Sequence, residues 1–330
     1  MDYPKISGEY QEIEGYRLIP IRMVDRESIR IWRNEQMFHL RQKQALSEDD
    51  QNAYFEAVVK PLFTQEYPKQ YLFSYVRGEE CFGYGGLVHI DYQRGSAELS
   101  FIMNTALENE HFSEHWGNFL QLITRIGFHD LSFRKLYTYA YYVRPHLYPV
   151  LLEHGWIHER TIQNALEEAG RFIPALIHSK WNAHLRPALP EDIEQTFAWV
   201  NDPHIRKHAF QSGSVAWESH KAWFHKKLND PHCLYFILEN PQHDPMGSIR
   251  IDQSGSEGTI SYLLDPQFHG QGWGSALLSL IVAPCANAGI KTLIGEVLPQ
   301  NSVSVAIFEK LGYESIKEKD RIRFIKPLYV

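Results

Sequence analysis

The 330-residue sequence predicts two tandem α/β domains, each built on a mixed sheet of the α+β kind. Three observations predict them. Strand-like alternation and helical apolar stripes succeed one another along both halves of the chain. Their order plays twice, and matching landmarks keep a slowly shrinking offset: Trp32 with Trp199, Ser100 with Ser261, Gly155 with Gly312. The second copy alone joins a strand to a helix through three closely spaced glycines, His269-Gly270-Gln271-Gly272-Trp273-Gly274.

Residues up to about 14 show no clear periodicity and are read as a loose lead-in. Residues 16–21 read as a strand and 24–34 as a helix ending in Trp32-Arg33-Asn34-Glu35. Ser47-Glu48-Asp49-Asp50 has the form of a capping box, and Tyr54, Phe55, Val58, Val59 and Leu62 are the apolar stripe of the helix it opens. Strands follow at 71–76, 81–90 and 97–103, then a helix at 116–128, a strand at 136–142 and a short helix at 146–154. The second copy repeats the series with a strand from Leu185, helices at 190–200 and 214–228, and strands at 234–238 and 246–251. Residues 258–264 alternate like a strand that stops before Pro266, and 292–298 form the next one. The boundary falls between Lys180 and His184, which gives domains of residues 1–182 and 183–330.

Composition excludes several classes. A net charge of −7 argues against a general nucleic-acid scaffold. Cys81, Cys233 and Cys285 are scattered without ligand spacing and read as reduced thiols. The polar start Met1-Asp2-Tyr3-Pro4-Lys5 lacks a signal-peptide core, and no apolar run reaches the length of a membrane span, so a cytoplasmic protein is expected. Among the 17 histidines, His204/His208 and His111/His115 sit four apart without the rest of a zinc constellation, and no metal is expected. A nucleophile elbow for Ser–His–Asp hydrolysis is missing.

Glycines at alternate positions let the backbone turn tightly, and the run Ala276-Leu277-Leu278 after them reads as a helix. Unpaired amides and the positive end of the helix dipole then converge into a seat for a pyrophosphate. A Rossmann dinucleotide site fits poorly. The strand ends five residues before the glycines, and Ala288-Gly289-Ile290-Lys291 offers no acid for a ribose. Downstream, Asn301 opens the pattern Asn-x-x-Ser-x-x-x-Phe-x-Lys-x-Gly-Tyr ending at Tyr313. With these residues the second copy resembles the GNAT superfamily of acyl-CoA-dependent N-acetyltransferases, strongly over 269–313 and more loosely over 185–330. The chain as a whole is therefore read as two tandem GNAT-like domains.

That resemblance implies acetyl-CoA as cosubstrate. The implied contacts are Leu263 and Leu264 on the strand, His269, Gly270, Gln271, Gly272, Trp273, Gly274 and Ser275 at the pyrophosphate, and Asn301, Ser304 and Phe308 beyond it. His269 stands where the family carries Arg or Gln. Glu296, in the pair Glu296-Val297, matches the general base of ribosomal-protein alanine acetyltransferases. Phe308 stands where those relatives place a general-acid tyrosine, so either the thiolate leaves with help from water or another hydroxyl, Tyr313 or Tyr262, substitutes, with Tyr313 taken as the catalytic candidate. Arg206 and Lys207 lie where such relatives shape the acceptor side. The expected activity is acetyl transfer to a primary amine of a small molecule or peptide, either a nucleotide-linked amino sugar or a protein N-terminus. The alternative is a non-catalytic CoA or acyl-CoA binding protein. Neither nucleic acid nor membrane is an expected partner, and a homodimer is left open. The first copy has Asn109-Glu110-His111-Phe112-Ser113-Glu114-His115-Trp116 where the glycines should be, and its acids would repel a pyrophosphate. It is read as a degenerate domain, with acceptor recognition, scaffolding and an atypical acyltransferase as the open roles and a supporting one favoured.

Overall fold

The computed structural model describes residues 2–6, 12–168, 170–211 and 213–328. The chain divides into two compact units, Met1–Lys180 and Trp181–Val330.

In the first unit the elements run β1 (Glu12–Ile13), β2 (Tyr16–Pro20), α1 (Arg26–Glu35), α2 (Glu48–Tyr54), α3 (Lys60–Leu62), β3 (Tyr71–Arg77), β4 (Glu80–Asp91) and β5 (Ser96–Met103). Then come α4 (Glu108–Arg125), β6 (Lys135–Tyr141), α5 (Leu147–Glu153), β7 (Ile157–Glu168) and β8 (Arg171–Trp181). The sheet order is β1-β2-β3-β4-β5-β6-β8-β7. The capping box forms as the sequence implies, with Ser47 Oγ accepting from the Asp50 amide and Asp50 returning the bond to the Ser47 amide. Two local expectations change. The segment 2–6 is docked rather than loose, because Tyr3 is buried against Phe63, Tyr71 and Phe73 and exchanges hydrogen bonds with both backbone groups of Leu72. Helix α4 starts eight residues before the expected Trp116. Asn104 caps a short 3-10 turn that runs straight into it, and Phe112, Trp116, Phe119 and Ile123 then bury one continuous stripe.

The second unit comprises β9 (His184–Pro187), α6 (Ile193–Asn201), α7 (Pro203–Arg206), α8 (Trp217–Leu228), β10 (Cys233–Glu239), β11 (Pro245–Ser254) and β12 (Glu257–Leu264). It continues with α9 (Trp273–Leu280), α10 (Val282–Asn287), β13 (Thr292–Val297), α11 (Ser302–Lys310), β14 (Glu314–Lys317) and β15 (Ile322–Pro327). Its sheet runs β14-β15-β13-β12-β11-β10-β9, the order of the first unit without an equivalent of β1. Both units thus pair one strand in parallel with the last strand of an antiparallel meander, as a mixed sheet requires.

The parallel pairs are short. In the second unit β12 and β13 pair from Glu257↔Thr292 to Ile260↔Gly295 and then part, which leaves one edge of β12 unpartnered from Ser261 on. In the first unit β5 and β6 pair only from Ser96↔Lys135 to Glu98↔Tyr137. Main-chain polar groups exposed in such a splay need partners from a ligand or from water. Among the described residues all three cysteines are free, and no helix is long and apolar enough to cross a membrane.

Candidate functional site

A cleft of about 650 Å³ opens in the second unit where β12 leaves β13. Its floor is the free end of β12, with Tyr262, Leu263 and Leu264; one side is the glycine turn, another the start of α11, and the last α7 and the residues after it.

The glycine turn has the geometry that only glycine takes without strain. Gly270 has φ +73 and Gly272 φ +93, and Gly272 is the N-cap of α9. Its carbonyl accepts from the Ser275 and Ala276 amides, at 3.0 and 3.2 Å. The first-turn amides of α9 therefore stand at the cleft wall beside Gly272, Trp273, Gly274 and Ser275. Gly274 is needed for packing, since a β-carbon there would come within 2.8 Å of Ile307 on α11. Trp273 and Ser275 are 5% exposed each; Trp273 packs into the core and can offer a ligand its backbone, whereas the Ser275 amide is already held by Gly272.

The flanking side chains turn inward to hold the loop. His269 donates through Nε2 to the Leu264 carbonyl at 3.1 Å, and Gln271 donates to the Gln267 carbonyl at 3.0 Å. Asn301 caps α11 by accepting from the Ser304 amide at 3.2 Å and also lines the cleft. Ser304 lies 2.9 Å from the Tyr262 hydroxyl, and burial pushes Tyr262 up to about 12. That phenol keeps its proton at neutral pH.

Four residues expected in the site stand outside the cleft lining: Gln271, Glu296, Phe308 and Tyr313. Phe308 is buried flat against Phe324, with ring centroids 4.9 Å apart, and covers Gly295, where its ring leaves no room for a β-carbon. The glycine in Gly295-Glu296 thus draws the aromatic ring down onto the sheet, where it cannot reach a ligand. Tyr313 meets Phe308 edge-on and is 5% exposed, and its hydroxyl has no partner among the described residues. Tyr262, on the alternation of β12, does line the cleft, its hydroxyl held by Ser304. Glu296 is exposed on the opposite face of β13 and accepts from Arg321 at 2.9 Å; the Arg321 guanidinium lies 5.2 Å from the Phe210 ring.

Arg206 and Lys207 both line the cleft, with different freedom. Arg206 donates to the carbonyls of Gln211 and Gly213 and so ties its own loop together. Lys207 is exposed and has no ion pair among the described residues.

One cluster with metal-ligand chemistry escaped the spacing of the sequence. Strand pairing sets His184 opposite Glu239, and the turn after β10 returns His243, so the three ligand atoms lie within 4.8 Å of one another. The other oxygen of Glu239 is held by Arg186, whose positive charge works against a cation there.

Residues 19–177 match one acetyltransferase (GNAT) domain family and residues 183–314 match another. An uncharacterized protein of Methanocaldococcus jannaschii is 26% identical over 137 residues, or 41% of this chain. The chain spans 28% of the length of that relative. Among solved structures, spermidine N-acetyltransferase from Vibrio cholerae in complex with CoA and spermine aligns with a TM-score of 0.42 and 14% identity, over 44% of this chain and 96% of that one. A domain from Methanocaldococcus jannaschii aligns at 0.41 and 23% identity, over 44% of this chain and 98% of that one. For a phosphinothricin acetyltransferase from Sinorhizobium meliloti in complex with AcCoA the values are 0.40 and 18%, over 44% and 89%.

Proposed function

The chain belongs to the acetyltransferase (GNAT) family through both of its domains, and on that premise we propose that its C-terminal domain transfers an acetyl group from acetyl-CoA to a primary amine. The observation that carries the reading is the glycine turn: two left-handed glycines deliver the N-terminus of α9 to a cleft that also holds the free edge of β12. Amides at a helix start suit the pyrophosphate, and the splayed strand offers donors to the oxyanion that develops on the thioester carbonyl.

Two protons must move. An alkyl ammonium with a pKa near 10 must lose one before it can attack. Glu296 is the proposed acceptor of that proton by way of an intervening water, since it stands outside the cleft lining and is held by Arg321. The leaving thiolate must gain a proton, and Tyr262 is the protonated hydroxyl in the cleft wall. Lys207 favours an acceptor that carries a negative charge beside its amine, which a nucleotide-linked amino sugar has.

Calorimetric titration of the full chain with acetyl-CoA is expected to saturate at one equivalent. Two equivalents would give the N-terminal domain a cofactor site as well, and none would remove the acetyl-donor reading. Glu296→Gln is expected to lower turnover by about a hundredfold while acetyl-CoA affinity holds. Unchanged turnover would pass proton removal to water. Binding without turnover towards any amine would favour a CoA-sensing role.

A further inference from the structure

The N-terminal domain has a cavity of its own, of about 370 Å³, in the splay where β5 and β6 part beyond Glu98 and Tyr137. Nothing in its wall serves a pyrophosphate. Helix α4 begins at Glu108 with Glu108 and Glu110 in its first turn, and no glycine loop precedes it.

The wall has two characters. Leu99, Phe101, Trp116 and Leu147 supply apolar wall. Arg33, Arg41 and Arg144 bring three guanidinium groups. Arg41 pairs with Glu98 and lies over the Tyr139 ring at 4.5 Å. Arg144 pairs with Glu108 at 3.0 Å and donates to His39 at 2.9 Å. Arg33 meets only neutral groups among the described residues, donating to Gln42 at 2.9 Å and to the Tyr84 hydroxyl at 2.5 Å. Three cations thus face two carboxylates, and the uncompensated charge is that of Arg33.

The titratable neighbours do not cancel it. Burial, helped by Arg144, pushes His39 down to about 3, so His39 is neutral at any ordinary pH. Burial pushes Glu98 up, against the pull of Arg41.

We propose that this cavity binds a small organic monocarboxylate, its carboxylate at Arg33 and an aromatic or branched apolar body against Leu99, Phe101 and Trp116. A flat guanidinium fork matches a carboxylate, and the apolar wall requires a body that a bare anion lacks. A phosphate dianion fits less well, since Glu98 and Glu108 repel each added negative charge in a partly dry site.

The test is fluorine NMR of 4-fluorobenzoate with the full chain. Line broadening that saturates with protein is expected, none with the neutral 4-fluorobenzamide, and a loss of at least about tenfold in affinity for Arg33→Gln. Arg33→Lys keeps the charge without the fork and is expected to lose less. It carries the test if circular dichroism shows that Arg33→Gln has not folded. A chain with Gly272→Glu is expected to bind the probe as the natural sequence does, which places the event outside the cleft of the second domain. No broadening by 4-fluorobenzoate, equal binding of the amide, or affinity unchanged in a folded Arg33→Gln or Arg33→Lys chain overturns the proposal. Displacement by an equimolar concentration of inorganic phosphate overturns the choice of a monocarboxylate.

Discussion

Gly272→Glu is expected to abolish measurable acetyl-CoA binding, with a loss of at least about a hundredfold. Crowding is not the reason, because a β-carbon at Gly272 would stand 3.7 Å from the Trp181 ring, an ordinary contact. The first cost is backbone strain. Gly272 holds φ +93 as the N-cap of α9, and a left-handed conformation costs a residue with a β-carbon about 1–3 kcal/mol. The second is charge. A carboxylate about 5 Å from a phosphate, at an effective dielectric constant of about 20, is repelled by about 3 kcal/mol. Gly272→Ala carries the strain without the charge and is expected to lose about tenfold. Calorimetry on the two variants separates the terms. Equal affinity in Gly272→Glu and the natural sequence would remove the pyrophosphate from this turn.

Tyr262→Phe is expected to cut turnover by about a hundredfold or more and leave acetyl-CoA affinity nearly unchanged. Tyr262 lines the cleft, and its hydroxyl is anchored 2.9 Å from Ser304 and stays protonated because burial pushes it up to about 12. It can therefore give a proton to a departing thiolate and cannot act as a base at neutral pH. The companion variant is Tyr313→Phe. Its hydroxyl is buried without a partner, so removing it relieves an unsatisfied group and should leave turnover as it was. Steady-state rates decide between them. Loss in Tyr313→Phe with none in Tyr262→Phe would return the proton-donor role to Tyr313.

What was legible in the sequence was local or periodic. A glycine that must take positive φ announces its turn, a capping box announces its helix, and the repeated order of strands and helices shows as two mixed sheets of the same topology. Long-range pairing was not legible. Tyr3 looks like part of a disordered lead-in until Leu72 is seen to offer both its backbone groups. His184 and His243 stand far apart in the chain and meet only because β9 pairs with β10 and the next turn folds back. The facing of a side chain was equally hidden. Spacing places Phe308 and Tyr313 on a helix and the turn after it, but the packing of α11 on β13 sends both into the core and leaves the cleft to Tyr262. The basic side of the N-terminal cavity was hidden for the same reason. The acids of 108–114 are plain in the sequence, whereas Arg33, Arg41 and Arg144 converge only through the fold.

The ring of Phe308 occupies the space that a side chain at Gly295 would need, and it is stacked on Phe324 and edged by Tyr313. Positions 295 and 308 are consequently coupled in packing. A lineage that acquires alanine at 295 must shrink the residue at 308, and one that acquires a tyrosine at 308 must find room for a hydroxyl inside a closed aromatic cluster. Each single step passes through a poorly packed state, so substitutions at 295 and 308 are expected to be non-additive in stability.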